Sequence, residues 1–221
     1  MERSVLLQGL ADRIAAVAAD HPLRTAIDGV DAAGKTVLAD ELAPLIAALG
    51  RPVIRASIDG FHNPAAVRRR RGDSSPDGYY RDSFDYEALM RELLAPLGPG
   101  GDCRYRPVVF DFRTDSVIEA DAETASPDAI LLFDGVFLLR PELRGYWDFS
   151  VFVRVAFDVT VARAESRDGY LFGSAADVRA RYESRYVPGQ RLYLSEADPE
   201  SHADIVVDND DYAAPSFVLP T

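Results

Sequence analysis

The chain is poor in the features that would take it out of a reducing, aqueous setting. Its single cysteine, Cys103, cannot close an internal disulfide, so a cytoplasmic location is the expectation. No histidine lies near Cys103 in the sequence, and it reads as a bystander rather than a nucleophile. No apolar run approaches the ~20 residues that a membrane span requires, which excludes a membrane-spanning role. The N-terminal segment breaks its apolar stretches with Gln8, Asp12 and Arg13. It reads as an amphipathic helix and not as a signal peptide. A net cationic surface is also missing. The formal charge is −12, which argues against nucleic acid as a main partner and leaves room for a local basic pocket around a small anion. Internal repeats and long low-complexity segments are absent too.

What is present is an ordinary globular composition, with 48% hydrophobic and 27% charged residues in 221. That length suits one domain with a real core, spanning 1–221. Short apolar runs at 24–28, 53–58, 130–133, 149–155 and 205–207 read as strands. Helical spacing marks 36–49, 159–166 and 177–186, and Ser83 is a candidate cap for a helix reaching about Leu97. Residues 60–82, rich in Arg, Asp, Pro and Gly, read as a loop. Residues 105–112 and 116–120 alternate like an antiparallel pair. Strand–helix alternation predicts the α/β class, with a parallel sheet flanked by helices on both faces. Ligands of such sheets sit at the carboxyl ends of the strands.

Between the first strand and the first of these helices lies Gly29-Val30-Asp31-Ala32-Ala33-Gly34-Lys35-Thr36, which matches G-x-x-x-x-G-K-[ST]. A chance match in a chain of this length is roughly a one-per-cent event. The glycines let the backbone curl so that successive N–H groups point at phosphates, and the helix N-terminus adds partial positive charge. The spacing predicts a P-loop NTPase-type fold that binds ATP with Mg²⁺. Lys35, expected to face solvent, reaches the β- and γ-phosphates, and the Thr36 hydroxyl ligates the metal. Asp59 and Asp134 each end an apolar strand and precede a glycine. Asp-Gly is ordinary turn chemistry. Beside the phosphate loop, however, such carboxylates serve phosphoryl transfer, one accepting the acceptor's hydroxyl proton (Asp59) and one holding Mg²⁺ (Asp134).

GVDAAGKT, SIDGFHNP, LLFDGVFLL and RYVPGQRLYLSEADPESHADIVVDNDD, in that order, resemble the uridine kinase and phosphoribulokinase-like group from about residue 25 to 210. The resemblance implies an ATP-dependent kinase, with Asp59 next to the acceptor hydroxyl. It implies a small lid over 163–176 whose Arg163 and Arg167 stabilise the transferring group. It also implies an acceptor-site insertion at 60–82, and a segment around Asn209 that passes the adenine ring. Uridine–cytidine kinases carry Tyr-Asp-Phe and then a base-reading histidine. Here Phe110-Asp111-Phe112 is followed by Arg113-Thr114-Asp115, which makes Asp115 a candidate base-reader that favours cytidine over uridine. The lid offers Tyr170, Leu171 and Phe172 where an arginine pair usually stands.

Arg68 to Arg71 interleave with Asp73, Asp77, Tyr79 and Tyr80, and could form a solvated loop or clasp an anionic acceptor. His62, Tyr79, Tyr80, Phe110 and Asp115 are the candidate acceptor contacts. Three functions stay open: a kinase for a nucleoside or nucleoside-like molecule; a kinase for pantothenate, a sugar or a sugar phosphate; and an ATP-dependent switch with no acceptor. Homo-oligomerisation is also open.

Overall fold

The computed structural model describes residues 2–169 and 173–218. From the N-terminus the chain forms helix α1 (Arg3–Ala15), strand β1 (Leu23–Gly29), helix α2 (Lys35–Ala48) and strand β2 (Val53–Ser57). A 3₁₀ turn (Ile58–Phe61) leads to short helices α3 (Ala65–Arg68), α4 (Pro76–Asp82) and α5 (Tyr86–Leu89), the last running on through a π-helical turn (Met90–Leu94). Strand β3 (Arg104–Tyr105) pairs with β6 (Glu123–Thr124), and β4 (Phe110–Asp111) with β5 (Ser116–Val117), both antiparallel. Then come β7 (Ile130–Gly135), β8 (Phe149–Arg154), α6 (Phe157–Arg167), α7 (Ala175–Arg181), a π-helical turn (Tyr182–Tyr186), α8 (Val187–Ala197) and α9 (Pro199–His202). Strands β9 (Ile205–Asp208) and β10 (Ser216–Val218) close the described chain.

The main sheet has the order β10-β9-β8-β1-β7-β2, parallel throughout except for β10. β1 and β7 are buried along their whole length, as continuous apolar runs covered on both faces must be. Their side chains alternate between two cores. Ala26, Leu131, Phe133 and Phe152 join Leu89, Leu93 and Tyr193 on one face. Leu23, Ile27, Ile130, Leu132, Val151 and Val153 meet Leu6, Leu10, Leu42 and Ile46 from α1 and α2 on the other. Burying each Leu, Ile, Val or Phe among them contributes roughly 1.5–3 kcal/mol. Among the described residues, no helix is long and apolar enough to cross a membrane.

Several elements differ from the sequence expectation. The stretch 60–82 is not a continuous loop. Pro76 occupies the first turn of α4 behind Ser75, whose hydroxyl accepts from the Gly78 N–H at 3.0 Å, a cap-plus-proline start. The following helix begins not at Ser83 but after Asp85, whose carboxylate accepts from the Ala88 N–H at 2.9 Å. Ser83 instead donates to the Tyr79 carbonyl at 2.7 Å. The expected pair over 105–120 is two shorter pairs. Val187–Ala197 forms a helix beyond those expected, and β10 adds an antiparallel edge after the expected last strand.

Candidate active site

The phosphate loop links β1 to α2, as its spacing predicts. Gly29 has φ +152°, and a Cβ there would lie 2.5 Å from the Val153 carbonyl oxygen, so no larger residue fits. Ala32 (φ +56°) and Gly34 (φ +91°) both take left-handed conformations, the curl that turns consecutive N–H groups inward. Asn209, just past β9, is buried and donates from Nδ2 to the Ala33 carbonyl at 2.8 Å. It thus holds the loop from behind.

Lys35, the chain's only lysine, does not face solvent as expected. It is 8% exposed, and its Nζ donates to the Val30 carbonyl at 2.7 Å. Burial pushes its pKa down, while Asp31, Asp28 and Asp134 pull it back up. The ammonium therefore sits desolvated among acids, where an incoming phosphate gains most from it.

The sheet order places β7 beside β1, with β2 one strand further out. The register pairs Ile27 with Asp134 and Ser57 with Asp134, so both expected carboxylates emerge at the same carboxyl end. Asp134 Oδ2 accepts from the Thr36 hydroxyl at 2.7 Å, and Oδ1 from Arg55 Nη2 at 2.9 Å. Among the described residues no cluster of three or more His, Cys, Asp or Glu could hold a metal. The touching hydroxyl and carboxylate of Thr36 and Asp134 still fit Mg²⁺, which takes most of its ligands from phosphate and water.

Asp59, in the 3₁₀ turn after β2, is accessible from the cleft mouth yet walled in by protein. Desolvation raises its carboxyl pKa most, Asp31 and Asp134 raise it further, and His62 and Lys35 oppose them. His62 Nδ1 donates to the Asp59 carbonyl at 3.0 Å. Its ring lies 4.6 Å from that of Phe84 and 4.7 Å from that of Phe112. Burial lowers the His62 pKa most, against the opposing pull of Asp59.

Lys35, Thr36, Asp59, His62, Tyr79, Asp134 and Arg167 all line one cleft of about 370 Å³. Asp31 lines it as well and accepts from the Tyr79 hydroxyl and from Gln190 Nε2, each at 2.6 Å. Arg167 is held by Asp168 at 2.5 and 3.0 Å, and Tyr182 steadies that carboxylate at 2.8 Å.

Four of the catalytic and acceptor-contact candidates do not line the cleft. Arg163 turns away from it, its Nη2 donating to the carbonyls of Asn209 (2.8 Å) and Asp210 (3.0 Å). Tyr80 is core, its ring packed on Phe137 and Tyr193. Phe110 is buried in β4; that strand is two residues long, and it is Phe112, in the turn that follows it, that lines the cleft. Asp115 accepts from the Ala65 N–H at 2.8 Å and from Arg68 at 3.0 Å. Both contacts lower its pKa and tie it to α3. Tyr170, Leu171 and Phe172 lie outside the described residues. Of the arginine run, Arg70 and Arg71 both bind buried Asp82, while Arg68 and Arg69 line the cleft.

The sequence reading missed Phe84, Phe112, Arg181, Tyr182, Arg185 and Tyr186, which also line it. Arg181 and Arg185 carried a usable signal, being four apart on a helical stretch and so on one face.

A parallel sheet with a phosphate loop at its carboxyl edge and paired acids beside it defines a P-loop kinase fold. The sequence profile of the Phosphoribulokinase / Uridine kinase family matches residues 25–208, and the chain belongs to that family. No curated protein sequence matches it. Among solved structures it is similar to a possible uridine kinase from Bacillus stearothermophilus, with 24% identity, TM-score 0.73, 93% of this chain and 99% of that one covered. A candidate fructose transport system kinase from Silicibacter sp. TM1040 is 25% identical, with TM-score 0.71 and coverage of 89% and 96%. D-glycerate 3-kinase from Cryptococcus neoformans is 14% identical, with TM-score 0.61 and 97% of both chains covered.

Proposed function

We propose that the chain transfers the γ-phosphoryl group of ATP to a hydroxyl of a small molecule. The observation that carries this reading is the convergence of Lys35, the Thr36–Asp134 pair, Asp59 and Arg167 in one cleft. The acceptor oxygen forms a bond to the γ-phosphorus, and the bond from that phosphorus to the β–γ bridging oxygen breaks. ADP leaves with the electron pair, and the hydroxyl proton passes to the Asp59 carboxylate. The raised pKa of Asp59 makes it a stronger proton acceptor than an ordinary aspartate. Lys35 and the loop N–H groups offset phosphate charge where it builds up. Thr36 and Asp134 would hold Mg²⁺, which when bound neutralises part of that charge. Arg167 reaches the same place from the lid helix.

The names borne by similar structures range over a nucleoside, a sugar and a sugar acid, so the acceptor must be read from this cleft. Of the five candidate acceptor contacts His62 and Tyr79 line it, whereas Tyr80, Phe110 and the proposed base-reader Asp115 do not. An acceptor-free switch would need neither Asp59 nor Arg167. The test is ADP formation by the purified chain with Mg²⁺ and ATP, with and without nucleosides, sugars, sugar acids and sugar phosphates. Stimulation by one class supports the kinase. ATP binding with no stimulation by any of them would favour the switch.

A further inference from the structure

One wall of the cleft is richer in cations than transfer to a neutral hydroxyl requires. Arg68 closes α3, Arg181 closes α7 and Arg185 lies in the π-helical turn after it. All three line the cleft, and each has a buried Nε with no hydrogen-bond partner. Among the described residues five buried side-chain N or O atoms lack a partner, and these three are the charged ones. Buried polar groups are nearly always satisfied, and an orphaned cationic donor is costly unless a ligand completes it.

The surroundings complete them only in part: Arg181 hydrogen-bonds the Tyr186 side chain, yet its Nε stays unmatched. Arg185 is 6% exposed, and among the described residues its side chain donates to the Asp73 carbonyl. Burial lowers its pKa first, and neighbouring Arg181 lowers it further. Three of the cleft's four acids are engaged elsewhere, Asp31 with Tyr79 and Gln190, Asp134 with Thr36 and Arg55, Asp168 with Arg167 and Tyr182; the fourth, Asp59, is the proposed proton acceptor. Among the described residues, no carboxylate pairs with Arg181 or Arg185. Arg68 has a carboxylate, that of Asp115, which leaves its Nε unmatched.

We infer that the acceptor is itself an anion, a hydroxylated carboxylate or phosphate ester whose oxyanion is bound by Arg68, Arg181 and Arg185 while its hydroxyl meets Asp59. Planar guanidinium forks match both oxyanions. Arg68 is near enough to His62 for its charge to lower that imidazole's pKa, and both line the cleft with Asp59. The neighbouring rings of His62 and Phe112, tilted at 33° with centroids 4.7 Å apart, give the carbon skeleton an aromatic wall. A neutral acceptor would leave this cationic wall without a counter-charge, and sites built for a polar partner discriminate strongly against analogues that lack it.

This inference rests on the kinase reading, and the test separates the two. With Mg²⁺ and ATP, the purified chain is given neutral nucleosides and sugars, a sugar acid such as D-glycerate, and sugar phosphates. An anionic class should show the highest kcat/KM, and comparing glycerate with sugar phosphates separates carboxylate from phosphate. Arg181→Gln and Arg68→Gln should each raise the acceptor KM about tenfold or more, with the KM for ATP nearly unchanged. Arg181→Lys should recover part of the loss. Neutral acceptors that outperform anions would overturn the inference and leave the kinase standing. A rise in ATP KM with unchanged acceptor KM would assign the arginines to the nucleotide and overturn it too. A binding arm needs no turnover: the chain saturated with Mg²⁺ and a non-hydrolysable ATP analogue is titrated with inorganic phosphate and with D-glycerate. Saturable binding of either, lost in Arg181→Gln but retained in Asp59→Asn, is expected. No saturation by either would sink the inference whatever the activity assay shows.

Discussion

On the phosphate side of the cleft, eight consecutive residues from Gly29 to Thr36 are shaped by backbone geometry. Gly29 fits against the Val153 carbonyl, Gly34 takes a left-handed conformation, and Asn209 holds the Ala33 carbonyl from behind. On the acceptor side, single side chains arrive from separate elements: His62 from beyond the 3₁₀ turn, Arg68 from α3, Tyr79 from α4, Phe112 from beyond β4, and Arg181 and Arg185 from α7 and its π-helical turn. A phosphate is the same ligand in every such protein, so a fixed curl of N–H groups serves it. An acceptor is peculiar to the protein, and its site is assembled from side chains that can change one at a time. Damage to the first region should therefore abolish activity with every acceptor, whereas damage to the second should change which acceptor is used.

The largest effect expected is that of Lys35→Ala, which removes the buried ammonium at the centre of the phosphate site. ADP formation should fall on the order of 10²–10³-fold with every acceptor, while circular dichroism shows an intact fold. An amine-reactive ATP analogue should label the wild type at Lys35, its sole lysine, and should miss the variant there.

Asp59→Asn stands on the border between the regions. It should cut kcat on the order of 10²–10⁴-fold with ATP affinity little changed, because only the proton acceptor is lost. Collapse of ATP binding with kcat preserved would make Asp59 a metal or structural residue. The pH profile sharpens this. Transfer needs the Asp59 carboxylate ionised, so kcat/KM falls as pH drops through its pKa. Because burial raises that pKa, the fall should lie above the ordinary aspartate value of ~3.9, and should vanish in Asp59→Asn.

Arg167→Ala should lower kcat more than it weakens ATP binding, as suits a cation that engages during transfer. An unchanged kcat would return Arg167 to the role of partner to Asp168. Asn209→Ala should cost about 1–3 kcal/mol through the unmatched Ala33 carbonyl, read as a lower Tm and weaker ATP binding for all acceptors alike. The smallest effect belongs to Asp115→Ala. Its carboxylate is spent on Ala65 and Arg68, so preference between uridine and cytidine should not move, and a reversal would restore Asp115 as a base-reader.

This division also explains what could be read in the sequence. The sheet, both flanking layers and the phosphate loop were legible, because β1 and β7 are unbroken apolar runs and the loop has rigid spacing. Asp59 and Asp134 were legible as strand-end acids. The acceptor wall was not. Asp115 and Phe110 lie close in sequence to Phe112, but a two-residue strand and a tight turn decide which of them enters the cleft. Arg163 and Arg167 share helical spacing, yet the carbonyls of Asn209 and Asp210, brought near by β9, turn one of them away. Arg181 and Arg185 are more than a hundred residues from Arg68, and only packing shows that they face the same space.

The most direct measurement follows the phosphorus itself. ATP labelled at the γ-phosphate is incubated with the chain, Mg²⁺ and the best acceptor of the panel, and the products are separated. The account predicts label on the acceptor in step with ADP, and loss of that product in Asp59→Asn while the ATP analogue still binds. ADP accompanied only by labelled inorganic phosphate, at a rate indifferent to the acceptor and to Asp59, would contradict it.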